Sequence, residues 1–455
     1  MNNFFKSREL DLTRKIRLIC LSSIFLVFLF IFVLQKVITD QRGNMEKTIA
    51  QSQEAKIWII SDTHLIPASM HDEGAAFKRM ETTSAGKDLN HQELALTAFV
   101  RKALKDKPNA VIITGDLTFN GELESAKRLA EIFKPLKKAG IAFLVVPGNH
   151  DINDGWSRTF SADKQYRAQE ISPQEWVKIF KDSYRYTDHL DKNSLSYSVN
   201  LNNDYRFLML DTNVYTDGYS TTAPATNGRL TKSTLEWLDG ELEDAKKHKQ
   251  KVVIFMHHNL YPHHKMIYQD FVLDNAEDLQ KLLRKYDVKL VFSGHIHAQN
   301  IIGPTEECPA VDIATGSFCV AEENYGETTF TPNKVSYQYH RFEMTDNLNS
   351  EEKAQLHISN YNEYLKKLFA KGDHTHDFKN LFAKADWKQV NEFMFRMNWN
   401  YFVGKSNYTK EEIQAQKNSK EFKLISEKIP MMKQYFAWFW DVKKDSRSLT
   451  ISDNE

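Results

Sequence analysis

Five short apolar runs in this sequence stop abruptly at aspartate, asparagine or histidine, and that pattern constrains the fold more than any other feature. Ile57-Trp58-Ile59-Ile60 leads into Ser61-Asp62-Thr63-His64, and Val111-Ile112-Ile113 into Thr114-Gly115-Asp116. Ala142 to Val146, closed by Pro147, leads into Gly148-Asn149-His150-Asp151. Val252 to Phe255 leads into Met256-His257-His258, and Leu290-Val291-Phe292 into Ser293-Gly294-His295-Ile296-His297. An apolar run followed at once by polar residues of this kind reads as a buried strand ending at a site. In α/β sheets, ligands bind beyond the carboxyl ends of the strands. Five such ends brought together make one metal-rich site.

The segments between the runs supply helices. Leu96, Phe99, Val100, Ala103 and Leu104 fall at helical spacing, as do Ala126, Leu129, Ala130 and Phe133, and Gly140 closes the second set. Strand, helix, strand, helix, strand implies parallel βαβ units. Later pieces, Ser194 to Asn200, Arg206 to Leu210, Val311 to Thr315 and Val335 to Phe342, add strands of mixed pattern. The combination predicts an α/β domain of two packed sheets over residues 56–346.

Beyond it the period changes to helical. Ala354, Ile358, Tyr361, Leu365 and Leu368 mark one helix with Ser350 as its N-cap, and Trp387, Val390, Met394, Met397 and Tyr401 mark another. Thr409 with Glu412 forms a capping box, and Pro430 should break a later helix. Residues 347–455 are therefore expected to form a small helical domain. Trp387, Trp399, Trp438 and Trp440 supply its core, or alternatively an aromatic cover for a substrate.

At the other end, Leu18 to Leu34 is uncharged and follows Lys6, Arg8, Arg14, Lys15 and Arg17. This predicts a cytoplasmic tail over 1–17, a single transmembrane signal-anchor over 18–37 and a stalk over 38–55, with the remainder outside the cytoplasm. Cleavage and secretion is the alternative. In that setting Cys308 and Cys319 could pair. The chain has 60 basic and 60 acidic residues, which gives no bias toward nucleic acid. No Cys-x-x-Cys is present, against a thiolate zinc site.

Asp62, His64, Asp116, Asn149, His257, His295 and His297 are the candidate metal ligands. Mixed imidazole and carboxylate donors suit manganese, iron or zinc. Asp62-x-His64 and His295-x-His297 each put two side chains on one side of an extended segment, and a carboxylate such as Asp116 can bridge two ions. Two ions held close together activate water and clamp a phosphoryl group. The expected chemistry is hydrolysis of a phosphate ester by a hydroxide held between two divalent metals (Mn²⁺, Fe²⁺ or Zn²⁺). His150 is read as the catalytic group that protonates the leaving oxygen or stabilises phosphoryl charge, with Asp151 orienting its ring. Any one of these motifs is common by chance, and a lone His-His is more often a loop pair. All five at strand ends in this order are not.

Taken together, Asp62-x-His64, Gly115-Asp116, Gly148-Asn149-His150-Asp151, His257-His258 and Gly294-His295-Ile296-His297 resemble the five blocks of calcineurin-like metallophosphoesterases. The resemblance covers about residues 56 to 344. It implies a four-layer αββα sandwich and a dinuclear centre, with Asp62, His64, Asp116 and His297 on one metal. Asp116, Asn149, His257 and His295 would hold the other, and His150 would be the catalytic histidine. Phe119 stands where purple acid phosphatases carry a metal-binding tyrosine, so a purple centre is not expected. Asn120-Gly121 and Gly228-Arg229-Leu230 look more like class III cyclic nucleotide phosphodiesterases. The implied substrate is a small phosphoester, a cyclic nucleotide foremost, with phosphomonoesters or envelope lipid and polymer phosphates as the alternative. A non-catalytic scaffold should have lost ligands, and all seven are here.

His258 and His263 are secondary candidates for substrate contact, with His263 and His264 otherwise in a surface loop. His374-x-His376 has metal-ligand spacing but reads as a solvated loop. The polar, glycine-containing block from Arg79 to His91 could form a flap near the site.

Overall fold

The computed structural model of the chain describes residues 48–216, 218–372, 375–442 and 445–453. The expected tail, the anchor over 18–37 and most of the stalk lie outside the described residues. No helix among the described residues is long and apolar enough to cross a membrane. The last residues ascribed to the stalk are not free of the domain. Ile49 and Ala50 donate backbone hydrogen bonds to Asn200 and Leu201, and Ala50 is buried in the core between the sheets.

The first three runs form β1 (Ala55–Ile60), β2 (Ala110–Thr114) and β3 (Ala142–Val146), parallel and adjacent. A small hairpin, β4 (Arg158–Ser161) and β5 (Lys164–Arg167), stands apart from both main sheets. The second sheet is built from β6 (Thr187–Leu190), β7 (Tyr197–Asn200), β8 (Tyr205–Met209), β9 (Lys251–Phe255), β10 (Leu290–Ser293), β11 (Asn300–Ile302) and β12 (Val311–Ala314). Its order is β11-β12-β10-β9-β8-β7-β6, with β8, β9, β10 and β12 parallel. The chain then returns to the first sheet. β13 (Asn324–Thr331) pairs antiparallel with β1, β14 (Lys334–Arg341) with β13, and β15 (Ser448–Ser452) with β14.

Alternation along the strands explains the layering. Ile57 and Ile59 face the second sheet and meet Phe207, Phe255 and Phe292, whereas Trp58 and Ile60 face outward onto helices. Each central strand is thus apolar on both faces, as sheets covered on both sides require. The outer helices are α1 (Ala75–Thr83) at the rim, with α2 (Gln92–Asp106) and α3 (Leu123–Lys138) on the first sheet. On the second sheet lie α4 (Lys232–Lys247) and α5 (Ala276–Lys285). The result is the expected four-layer αββα sandwich. A fully buried Ile, Val or Phe contributes roughly 1.5–3 kcal/mol, so the inter-sheet core alone locks the register that brings the strand ends together.

The C-terminal region is helical: α6 (Ser350–Leu356), α7 (Tyr361–Gly372), α8 (Lys384–Phe402), α9 (Lys410–Asn418), α10 (Lys420–Lys428) and α11 (Pro430–Phe439). Thr409 and Glu412 form the expected capping box, and Pro430 opens α11 after α10 has ended. The first cap is corrected: Asn349, with Glu352 completing the box, caps α6, and Ser350 is already helical. The region is also not helical throughout, because β15 joins the first sheet with Leu449 and Ile451 packed against its core. Trp387, Trp438 and Trp440 pack into the helical core, and Trp399 packs against Phe369. That is the core role, not the cover.

Candidate metal centre

The ends of β1, β2 and β3 in one sheet and β9 and β10 in the other converge on a single cluster. Asp62 and His64 are fixed by backbone bonds to Gly115 and Asp116, both 3.0 Å, which tie the first strand end to the second. Crossing between the sheets, His257 Nδ1 donates to the Thr114 carbonyl at 2.9 Å. Gly148 is required by proximity, since a Cβ there would lie 2.1 Å from the Asp116 nitrogen. Asp62, His64, Asp116, His295 and His297 have φ of 51°, 41°, 50°, 68° and 60°. Left-handed backbone costs a non-glycine residue about 1–3 kcal/mol and persists where the surroundings over-determine it, as they do at functional sites.

Two overlapping groups of donor atoms result, each within 4.8 Å: Asp62, His64, Asp116 and His297, and Asp116, His257 and His295. His64 Nε2 and His297 Nε2 face each other at 3.1 Å, and Asp116 Oδ2 lies 3.7 Å from His64 Nε2 and 3.4 Å from His257 Nε2. Asp62 Oδ1 is 3.4 Å from His297 Nε2. Asn149 Oδ1 joins the second group, 3.1 Å from His257 Nε2. So many lone pairs aimed at one buried point are the arrangement a pair of cations compensates, and the oxygen and imidazole donors fit borderline divalent metals. The Thr114 bond fixes the His257 tautomer and leaves Nε2 for the cluster. His295 Nε2 donates to the Thr226 and Asp270 carbonyls at 3.0 and 3.2 Å, which leaves Nδ1.

The electrostatics agree. Burial alone would raise Asp116, yet the His257 and His150 rings hold it well below the ordinary carboxylate range. Burial lowers His295 to about 3, and burial with the nearby Lys87 ammonium keeps His64 well below the usual histidine value. Ionised carboxylates and neutral imidazoles are the forms that bind metal. His257 is the exception: Asp116 draws it up to about 9 against the effect of burial, and a bound cation would displace that proton.

His150 stands at the mouth, with its side chain 26% exposed. Burial opposes its protonation, but the carboxylates of Asp116 and Asp154 raise its pKa above the usual value. The sequence reading of its partner is corrected. Asp151 does not orient the ring. Its carboxylate accepts from the backbone of Gly148, Leu117 and Thr118 and from the Thr118 hydroxyl, at 2.8 to 3.1 Å, stitching the second strand end to the third. The orienting group is Asn120, whose Oδ1 accepts from His150 Nδ1 at 2.9 Å, with Asp154 Oδ2 3.6 Å from the same nitrogen. Asn120 was visible in the sequence as part of Asn120-Gly121; Asp154, four residues past His150, carried no signal.

Two secondary candidates are corrected as well. His258 is fully buried, and its nitrogens are used by Thr212 Oγ1 at 2.8 Å and the Thr226 carbonyl at 3.1 Å. It buttresses the loop over His295 and has no free nitrogen for a substrate. His263 is buried between Asn300 Oδ1 and Asp312 Oδ2, at 3.0 and 3.1 Å, and His264 packs among Tyr401, Tyr435 and Phe439. Neither is a surface loop residue. Phe119 is buried with Ile66, Met70 and Phe77. Cys308 and Cys319 are buried and unpaired. His374 lies outside the described residues, as does the side chain of His376.

The sequence profile of the calcineurin-like phosphoesterases matches residues 55–299, more than half of the chain. The chain belongs to that family. A second profile, the C-terminal domain of cyclic nucleotide phosphodiesterase, matches residues 343–445, which contain the helices α6 to α11. A probable cyclic nucleotide phosphodiesterase of Coxiella burnetii is 27% identical over 279 residues, 60% of this chain and 90% of that protein. A probable glycerophosphodiester phosphodiesterase of Arcobacter nitrofigilis is 30% identical over 199 residues, 43% of this chain and 58% of that one. A cAMP/cGMP dual specificity phosphodiesterase of Mycobacterium tuberculosis is 26% identical over 239 residues, 52% and 60% of the two chains. The chain is thus a calcineurin-like metallophosphoesterase, an enzyme whose cofactors are two divalent metal ions.

Proposed function

We propose that this metallophosphoesterase is a phosphodiesterase acting on cyclic nucleotides, held at the membrane by residues 18–37 with its catalytic domain outside the cytoplasm. The observation that carries the reaction is the double donor cluster with the His150 ring poised at its mouth. The nucleotide substrate is supported by the C-terminal profile and by what the relatives are named for. The location is supported by the uncharged run Leu18 to Leu34 behind its basic flank.

Asp62, His64, Asp116 and His297 would hold one cation, and Asp116, Asn149, His257 and His295 the other. The two cations would supply Lewis acidity at the phosphoryl oxygens and acidify water for attack. The protein's own part is positioning and proton transfer. Asn120 keeps the His150 Nδ1 proton engaged, so Nε2 is the atom directed to substrate. In its protonated form the ring can give the Nε2 proton to the leaving oxygen of the ester. Asp151 holds Gly148 and Thr118, and thereby the loop on which Asn149 and His150 ride.

The test strips the full chain of metal, reloads it with Mn²⁺, Fe²⁺ or Zn²⁺, and compares bis(p-nitrophenyl) phosphate with p-nitrophenyl phosphate. Hydrolysis of the diester, followed by cAMP or cGMP turnover, is the expected result. Faster monoester hydrolysis would overturn the diesterase reading. Turnover of glycerophosphocholine but not of cyclic nucleotides would move the substrate to the class named for the Arcobacter relative.

A further inference from the structure

Where α7 meets the catalytic domain, one hydroxyl is shared by two buried acids. Tyr361 opens α7, and its hydroxyl oxygen lies 2.5 Å from Asp88 Oδ2 and 3.1 Å from Glu323 Oε1. All three residues are buried. Asp88 comes from the block between α1 and α2, and Glu323 immediately precedes β13. The protons available fix the charge states. A tyrosine hydroxyl has one proton to donate. Asp88 also receives the Tyr364 hydroxyl at 3.1 Å and His91 Nδ1 at 2.9 Å, which is how an ionised carboxylate is satisfied. The Tyr361 proton completes that set at its shorter contact. Its oxygen then offers only lone pairs to Glu323 Oε1, so the second bond forms only when Glu323 carries a proton and donates it. Glu323 Oε2 is buried without a partner, which a neutral acid tolerates far better than an ionised one.

The surroundings of Glu323 oppose its ionisation. Among the described residues it has no ion pair. Glu343, just after β14, adds repulsion and is itself bonded by Asn362 Nδ2 of α7 at 3.0 Å and paired with Arg341. Glu81 of α1 adds negative charge beside Asp88 and His91. Glu322 takes the Tyr339 hydroxyl at 2.9 Å, with Arg447 4.0 Å away. Burial, followed by the Asp88 charge, pushes the Glu323 carboxyl well above its ordinary range. The same two causes raise the Tyr361 and Tyr364 hydroxyls, so both stay donors. His91 can donate from Nδ1 whether neutral or charged. An ionised Glu323 would therefore set two carboxylates against one hydroxyl in a buried site.

The element that bears this conflict is α7. Tyr361 and Leu365 pack into the core outside the first sheet, and at the other end of the helix a Cβ on Gly372 would lie 2.0 Å from the Gly86 nitrogen. The segment from Ser317 to Glu323 joins this cluster to the metal centre. The Ser317 hydroxyl donates to the Asp62 carbonyl at 2.8 Å, and the Asp88 N–H bonds to the Cys319 carbonyl at 2.8 Å. We propose that Glu323 is a proton-operated latch: as the neutral acid it holds α7 on the catalytic domain, and on ionising it releases that helix and slackens the segment leading to Asp62.

The experiment uses the full chain loaded with Mn²⁺, as wild type and as Glu323→Gln, whose amide keeps a donor for Tyr361 but cannot ionise. Hydrogen–deuterium exchange protection of the α7 amides, corrected for intrinsic rates, is followed from pH 5 to pH 8. The docked state holds the Glu323 proton more tightly than the released state, so release is favoured as pH rises. Over that range α7 protection should fall about 10-fold or more further in the wild type than in Glu323→Gln. The amides of α4, on the second sheet, should show no such difference, which separates release of α7 from global unfolding. Infrared spectra at pH 5 should show the C=O stretch of a protonated acid in the wild type that Glu323→Gln lacks. Parallel α7 protection curves in the two proteins would overturn the proposal, and so would infrared spectra with no protonated-acid band lost in the variant. If Glu323→Gln does not fold, the wild type decides alone: a pH-dependent fall confined to α7 supports the latch, and α7 protection that does not change with pH, or falls only together with α4, overturns it.

Discussion

His150 Nδ1 is bonded to Asn120 Oδ1 at 2.9 Å, while the neighbouring Asp151 carboxylate points into the backbone of three other residues. The two acceptors therefore have separable roles. Asn120→Ala should lower kcat by about 10- to 100-fold, the loss typical of a group that orients another, and short of the roughly 10²–10⁴ that general-acid catalysis itself supplies. Its melting temperature should change little. Asp151→Ala should instead destabilise the fold, because it strips a buried acceptor from three backbone N–H groups. Parallel kinetics and thermal melts on the two variants check the division, and a stability loss confined to Asn120→Ala would reverse it.

Asp312 links the metal loop to the helical domain. It accepts from Ser293 Oγ and Leu260 N–H, both at 2.7 Å, and from His263 Nε2 at 3.1 Å. The His263 carbonyl in turn accepts from Trp438 Nε1 at 2.8 Å and from the Tyr401 hydroxyl at 3.2 Å. Asp312→Ala orphans several buried donors at once and should cost roughly 3 kcal/mol or more. Urea midpoints would register that cost. Limited proteolysis should show the C-terminal helices cut sooner than in the wild type.

The sequence exposed the metal cluster well because each strand end joins an apolar run to its ligands within two to five residues. Layering was legible for the same reason, since runs apolar on both faces demand cover on both sides. What stayed hidden depended on long-range partners. His263 finds Asp312 49 positions away, and Asn120 reaches His150 across 30. Asp151 was misread because adjacency in sequence is poor evidence of side-chain contact. β15 was missed although Ser448-Leu449-Thr450-Ile451-Ser452 alternates, because only its pairing with β14 separates it from the helical text before it.

Glu122 predicts a pH dependence of stability. It is fully buried, with one carboxylate oxygen accepting from the Asn120 N–H at 3.0 Å and the other without a partner. Burial, the largest cause, raises its pKa from the ordinary 4.5 to about 7. Because the folded value exceeds the unfolded one, the folded state holds the proton more tightly. Stability from this group is therefore full below about pH 4.5 and declines as pH rises through about 7. At about 1.4 kcal/mol per pH unit, the loss is on the order of 3 kcal/mol. Glu122→Gln should be the more stable protein at pH 8 and lose one proton's worth of slope between pH 4.5 and 7. Urea titrations of both proteins at pH 5 and pH 8, with metal content held equal, decide the matter, and parallel curves would sink it.

Asp116 belongs to both donor groups, whereas His297 belongs to one. Removing a shared bridge should damage both sites, and removing a single-site ligand should damage one. Asp116→Ala is expected to retain fewer than about one ion per chain by elemental analysis after dialysis, and His297→Ala about one, against two for the native protein. Metal binding to the folded state alone also stabilises by mass action, about 2.7 kcal/mol when free metal is 100 times its dissociation constant. Chelation should therefore lower the melting temperature of the native chain, and the shift should shrink in His297→Ala and nearly vanish in Asp116→Ala. Equal ion counts in the two variants would show that Asp116 serves only one site and would require the ligand sets to be redrawn.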